Sequence, residues 1–307
     1  MRAPAPCRPA VFRRTRVLIV GCGDVGLRAA ASLAPGLRVV ALTSQAARAP
    51  ELRALGLRPL VANLDEAAAV RRVAGLAARV LHLAPPPGQG ATDPRTLALL
   101  RALALGRAPR TLVYGSTTGV YGNADGAEFD ETRAVAPATD RARRRVHAEA
   151  ALRAFGRRHA GPAGTRVTLL RIPGIYALDR VGGDPRERVR RGSPVLRPED
   201  DVWTNHIHAD DLARACVAAL WRARPGRVIH VCDDTRLRMG DYFDFVADRF
   251  GLPRPPRLSR AEAASALSPM QLSFMGESRQ LRNARMKNEL RLRLRHPDVM
   301  AGLPAPC

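Results

Sequence analysis

The stretch Arg16-Val17-Leu18-Ile19-Val20-Gly21-Cys22-Gly23-Asp24-Val25-Gly26 reads as a short apolar strand running into a turn with three spaced glycines. Gly21 and Gly23 permit a tight turn and a close backbone approach to a pyrophosphate, whose charge would rest on the exposed N–H groups and positive dipole end of the next helix. Gly26 lets that helix lie close to the sheet. The helix-prone run Leu27-Arg28-Ala29-Ala30-Ala31-Ser32-Leu33 follows at once, which supplies the strand-turn-helix context the pattern requires. Gly21, Gly23, Asp24, Val25 and Gly26 are therefore candidate dinucleotide-binding residues.

Working outward, Leu37 to Leu42 is a second apolar run of strand length, ending at Thr43-Ser44. An acid about 20 residues beyond the glycines would favour a free ribose 2′-hydroxyl, whereas hydroxyls and an Arg would favour a 2′-phosphate. Thr43, Ser44 and Arg48 occupy this region, and no acid comes before Glu51. Charge complementarity thus predicts NADP ahead of NAD. Strand and helix signals go on alternating: Arg58 to Val61, a helix from Asp65 to Ala74 with Asp65 as its N-cap, Arg79 to Ala84, a helix from Thr92 to Leu105, and Thr111 to Tyr114. This rhythm predicts a doubly wound parallel Rossmann sheet of the α/β class, with helices on both faces. The Pro85-Pro86-Pro87-Gly88 break falls where the crevice above the strand ends should lie.

From about Thr165 the elements shorten and the loops lengthen. The chain is accordingly read as a disordered tail over 1–13, a dinucleotide-binding domain over 14–164, and a smaller C-terminal substrate-binding sector over 165–307 that can interleave with the first. At 307 residues and 46% hydrophobic, the chain can build a substantial core. Its net charge of +22 would ordinarily suggest nucleic acid. The arginines are scattered, however, Lys287 is the sole lysine, and Ala, Gly and Pro are abundant throughout, so the bias is compositional and no nucleic-acid partner is expected. Five cysteines without a CxxC pair point to a reducing compartment. No apolar run suits a signal peptide or a membrane span, so the cytoplasm is the default expectation and no membrane partner is expected.

Several separated motifs together resemble the extended branch of the short-chain dehydrogenase/reductase family, of the nucleotide-sugar epimerase/dehydratase type. Val80-Leu81-His82-Leu83-Ala84 is similar to its fourth-strand motif, and Ser116-Thr117-Thr118-Gly119-Val120-Tyr121-Gly122 to its active-site segment. Leu170 to Tyr176 resembles the strand and loop beside the nicotinamide, Ile207-His208-Ala209-Asp210-Asp211 the opening of a late helix near the substrate, and Asn283 to Leu290 the closing helix. The resemblance implies cofactor contacts from Leu83, Ala84, Ser116 and Pro173, a small-molecule substrate, and room for a homodimer.

Family catalysis relies on a Tyr-x-x-x-Lys pair, whose i,i+4 spacing places both side chains on one helix face. Here the pattern meets Arg141 and Arg145. Arg145 can still donate to ribose hydroxyls, but Arg141 stays protonated and cannot serve as a general acid near neutral pH. Thr117 falls at the family's Ser/Thr position, and Tyr121 is the nearest phenol in sequence. The candidate catalytic residues are therefore Thr117, Tyr121 and Arg145, with Arg141 and His208 as candidate substrate contacts. Like-charge repulsion along Arg141, Arg144 and Arg145 calls for an anionic partner, and Glu149 is placed to pair with Arg145. Thr204 and Asn205 replace the Arg that the nucleotide-sugar enzymes commonly carry there, which argues against a sugar-nucleotide substrate. His206, His208 and Asp210 alternate as metal ligands might be spaced, but they lack further ligands, so no metal is expected; Asp210 is read as a helix N-cap. The sequence thus supports an atypical NAD(P)-binding oxidoreductase or epimerase-like enzyme for a small, anionic substrate. The alternative is a cofactor-binding sensor or binding module with little or no turnover.

Overall fold

The computed structural model describes residues 15–162 and 164–305, so the tail expected over 1–13 lies outside the described residues. Seven parallel strands form one sheet: β1 (Arg16–Val20), β2 (Arg38–Thr43), β3 (Arg58–Val61), β4 (Arg79–His82), β5 (Thr111–Thr117), β6 (Arg166–Ile172) and β7 (Arg227–His230). Their spatial order is β3-β2-β1-β4-β5-β6-β7. The chain reverses direction across the sheet between β1 and β4, and that reversal opens the crevice at the carboxyl ends of the strands.

Alternation along each strand sets the two faces. Val17 and Ile19 join Leu81, Val113, Leu170 and Ile229 beneath α1 (Asp24–Ala31) and, later in the chain, the helix Ala209–Arg222. Leu18 and Val20 join Val80, Leu112 and Leu169 on the other face, with Leu99 and Leu103 from the helix Pro94–Ala104 and Leu152 and Phe155 from the helix Asp140–Arg158. With Ala49–Ala54 as α2, these helices are α3 (Pro94–Ala104), α4 (Asp140–Arg158) and α5 (Ala209–Arg222). A third cluster, including Tyr176, Val195, Leu196, Phe243 and Val246, surrounds α6 (Met239–Arg249) and forms the smaller C-terminal sector. Strands β6 and β7 nevertheless complete the main sheet, so the later part of the chain supplies both layers.

Two expected caps move. The helix expected from Asp65 contracts to Ala67–Val70 and a 3-10 turn; Asp65 instead takes Arg95 in a two-pronged ion pair at 2.6 and 2.7 Å. Asp210 lies inside the first turn of α5, whose N-cap is His208 with Nδ1 accepting the Asp210 N–H at 3.2 Å. An imidazole nitrogen two residues earlier performs the capping that the carboxylate was expected to perform. No helix among the described residues is long and apolar enough to cross a membrane.

Candidate active site

The glycine turn after β1 is tied to the end of β4, because Leu83 and Ala84 both donate their N–H to the Val20 carbonyl, at 2.8 and 2.9 Å. Gly21 has φ +84°, and a β-carbon there would lie 2.4 Å from the Ala84 nitrogen, so only glycine fits. Gly26 packs its bare Cα against Ile19 and the Gly21 carbonyl, which seats α1 on the sheet. A β-carbon on Gly23 would meet nothing within 4 Å. Open space thus lies where the N–H groups of α1 begin, and the cradle fits a diphosphate. Cys22 in this turn is buried, which pushes its thiol up to about 11 and makes it a structural rather than a nucleophilic residue.

At the end of β2, Thr43 accepts the Gln45 N–H at 3.2 Å and closes a local turn, while Ser44 is exposed. The Arg48 guanidinium donates to the Cys22 carbonyl at 2.8 Å and pairs with Glu51 at 3.2 Å. It braces the glycine turn and carries its counterion with it. Leu83 and Ala84 follow β4, and Pro173 follows β6, so all these residues meet the carboxyl edge of the sheet.

The helix α4 distributes its arginines. Arg143 pairs with Asp140, Arg144 donates to the Gly90 carbonyl, and Arg145 donates from Nη1 to the Tyr114 hydroxyl and the Gly115 carbonyl, each at 2.9 Å. Neutral oxygens therefore relieve much of the expected repulsion. Glu149 is fully buried and does not pair with Arg145; it accepts from Arg171 at 3.1 and 2.7 Å, from Ser116 at 2.6 Å and from Arg153 at 3.1 Å. The Ser116 hydroxyl is thus turned inward, onto Glu149. Arg141 is left over the Phe274 ring at 5.0 Å, with its pKa lowered by burial and by Arg145 while Glu277 opposes the shift.

Tyr121 is also turned inward. Its hydroxyl lies 2.6 Å from Nε2 of His230, and the Arg171 guanidinium covers its ring at 4.6 Å. All four tyrosines, Tyr114, Tyr121, Tyr176 and Tyr242, are buried, so none offers the cleft a phenol. Burial raises the Tyr114 pKa to about 12, in spite of Arg145. Burial raises that of Tyr121 as well. The expected role of Tyr121 in polarising a substrate oxygen is not served by this geometry.

Thr117 stands differently. Its oxygen accepts the Gly119 N–H at 3.2 Å, leaving its own proton free to be donated. Beside it is a residue without a recognisable signal in the sequence, Glu277, held by Arg279 at 2.6 Å. A β-carbon on Gly119 would lie 3.6 Å from Thr117 Oγ1, 3.7 Å from Thr117 Cγ2 and 3.8 Å from Glu277 Oε2, so the two oxygens converge on the same side of Gly119. The segment carrying Glu277 is anchored on both sides: Ser278 accepts from Ala124 and Gly126, Gln280 donates to Ala127, and Arg279 donates to Trp203, all through the backbone. Gly276 and Ser278 line a cavity of about 450 Å³, which also involves Asp201, Trp203 and Arg238.

His208 does not join this group. It is buried, caps α5, meets the Tyr176 ring edge-on at 5.3 Å and lies against the His296 ring at 3.8 Å. Burial, then His296, lowers its pKa. His208, Asp210 and His296 bring possible ligand atoms within 4.8 Å of one another, but a metal on His208 Nε2 would require a proton on Nδ1, where the Asp210 N–H already points. Arg28 also holds Asp210 at 2.6 Å.

Residues 17–232 match the NAD dependent epimerase/dehydratase family. A solved protein from Silicibacter pomeroyi DSS, described as functionally unknown and conserved, is 30% identical; the match covers 94% of this chain and 96% of that one, with a TM-score of 0.75. MoeE5, solved in complex with UDP-glucose and NAD, is 21% identical over 94% and 96% of the two chains, with a TM-score of 0.73. UDP-glucose 4-epimerase from Thermotoga maritima, solved with UDP-glucose, is 18% identical over 94% and 96%, with a TM-score of 0.75. No curated protein matches. The expectation of NADP ahead of NAD is overturned: the matched family is NAD dependent, MoeE5 carries NAD, and Arg48 is already neutralised by Glu51. With its cradle, sheet order and family match in agreement, the chain belongs to the NAD dependent epimerase/dehydratase family, as an oxidoreductase or epimerase-like member.

Proposed function

We propose that the protein is an NAD-dependent oxidoreductase or epimerase-like enzyme acting on a small anionic substrate at the carboxyl end of β5. The observation that carries this reading is the convergence of Thr117 Oγ1 and Glu277 Oε2 beside Gly119, where a β-carbon would lie 3.6 and 3.8 Å from them. Thr117 donates a hydrogen bond from its hydroxyl to the substrate oxygen. Glu277, paired with Arg279 at 2.6 Å, accepts the substrate hydroxyl proton and returns it in the reverse direction. Arg141 supplies positive charge for an anionic group, and Phe274 limits its swing. Gly21, Gly23 and the first turn of α1 hold the cofactor diphosphate, with Leu83, Ala84 and Pro173 at the crevice wall. When bound, NAD supplies the hydride acceptor.

A second reading, a cofactor-binding sensor or binding module with little turnover, is favoured by the burial of all four tyrosines. The two separate when NAD+ is supplied with phosphorylated and carboxylated hydroxy compounds, and with UDP-glucose, while NADH absorbance is followed. Turnover of a small anionic compound, falling by roughly 100-fold or more in Glu277→Gln and in Thr117→Ala, supports the enzyme. Tight NAD+ binding without turnover on any compound sinks the enzymatic reading in favour of the binding module.

A further inference from the structure

Asp24 is the first residue of α1, directly after Gly23, at the turn whose N–H groups face the cradle. Its carboxylate takes Arg28 Nε and Arg180 Nε, each at 3.0 Å. Arg28 also holds Asp179 at 2.7 Å and Asp210 at 2.6 Å. One charged network therefore joins α1, the 177–183 loop and the start of α5, although Arg180 and Asp24 lie 156 positions apart in the chain. Arg180 is folded against its own loop, since a β-carbon on Gly183 would lie 2.4 Å from its Nη1.

This arrangement answers a physical conflict. A helix N-terminus welcomes one negative charge, and a lone Asp in the first turn is stabilising. A dinucleotide diphosphate brings two further negative charges to the same N–H groups, and an unshielded carboxylate one residue past the glycines repels them. The side chains of Arg28 and Arg180 are only 17% and 23% exposed, so water screens these pairs less than it would a pair on an open surface.

We propose that Arg28 and Arg180 shield Asp24 so that the glycine cradle accepts a dinucleotide diphosphate, which makes Arg180, brought in by the 177–183 loop, a positioning residue for the cofactor. The proposal rests on the cradle being the NAD site. Arg180 acts through Asp24, so its importance depends on the charge at position 24.

Calorimetric titration of NAD+ into the whole protein tests this in wild type, Arg180→Ala, Asp24→Asn and the double variant at low and at high salt. Arg180→Ala is expected to weaken NAD+ about 10-fold at low salt and less at high salt, as a charge effect of this kind requires. Adding Asp24→Asn should return affinity to within about 3-fold of wild type, the coupling expected of contacting residues. An Arg180→Ala variant that binds like wild type, or that stays equally weak after Asp24→Asn is added, overturns the shield. Arg180→Gln keeps the loop polar and repeats the test should the alanine variant fold poorly. Wild type that does not bind NAD+ overturns the cofactor reading itself and the shield with it; wild-type binding with an indifferent Arg180→Ala overturns the shield alone.

Discussion

Tyr121 and His230 share a 2.6 Å hydrogen bond in which the phenol donates, because Nδ1 of His230 already donates to the Arg282 carbonyl at 3.0 Å and leaves Nε2 as the acceptor. Both residues are buried. Tyr121→Phe therefore leaves a buried imidazole nitrogen unpaired, at a cost of about 1–3 kcal/mol. Urea melts should show that loss while NAD+ affinity and any turnover persist in the folded protein. A variant of full stability that has lost its turnover would return Tyr121 to the chemistry.

The glycines make separable predictions. Gly21→Ala places a β-carbon 2.4 Å from the Ala84 nitrogen on a backbone with φ +84°, so it should both destabilise the protein and abolish NAD+ binding. Gly23→Ala meets nothing within 4 Å, so its melting temperature should hardly move. Its NAD+ affinity should nevertheless fall by about 10-fold, because the added methyl fills the space in front of α1 where backbone must approach phosphate. Thermal melts and a binding isotherm on each variant decide the point.

Glu149 and Arg171 form a buried ion pair whose removal from one side leaves an uncompensated charge. Glu149→Ala is expected to cost about 3–5 kcal/mol, whereas Glu149→Leu combined with Arg171→Met should cost much less because both charges leave together. A double variant as unstable as the single one would show that packing, rather than charge, dominates at this position.

Acid should destabilise the fold through its buried imidazoles. Burial pushes His82, His206 and His230 down to about 4, below the ordinary value near 6.5. Each is neutral in the native state, so its stabilising contribution is present above pH 6.5 and is lost as pH falls towards 4, at up to about 1.4 kcal/mol per pH unit. Asp233 works in the opposite direction: burial raises it to about 7, so its contribution is present at low pH and is lost as pH rises from about 4 to 7. His208, lowered by burial, acts with these imidazoles, and Glu131 and Asp201, raised by burial, act with Asp233; four imidazoles outweigh three carboxyls, and the melting temperature should fall between pH 6.5 and 4.5. His206, stacked on Tyr242 at 4.1 Å with Nδ1 unpaired, is the cleanest probe. His206→Asn should flatten the pH slope even if it lowers stability overall, and an unchanged slope would remove His206 from the account.

The sheet was legible because its cause is local. The apolar runs at Val17, Val39, Val80 and Leu112 each announce a buried strand, and the alternation with helices dictates parallel pairing. The helix that carries Arg141 and Arg145 was equally visible. What escaped was which partner each polar group chooses. Arg48 looked like a ligand for a phosphate, but Glu51, three residues on, satisfies it. Ser116 looked exposed to a cofactor, yet Glu149 draws it inward from 33 positions away. Glu277 gave no signal, because nothing near it in sequence shows that the 276–281 segment will cross over Gly119. Asp210 misled more narrowly: His208 and Asp210 are both able to cap, and only the path of the chain entering α5 decides between them.

Past the helical turn at Gly276, the segment from Glu277 to Gln280 gives the protein two walls on one strip of backbone. Glu277 and Arg279 look towards Gly119 and Gly122, while Gly276 and Ser278 look into the outer cavity beside Trp203. Substitutions at one parity can therefore retune the chemistry without altering the other side. Because the backbone of Ser278, Arg279 and Gln280 is pinned to neighbouring segments, an insertion before Gly276 would be absorbed in the turn, whereas one between Glu277 and Ser278 would carry Glu277 out of step with Arg279; over this strip the reading frame of the backbone matters as much as the identity of its residues.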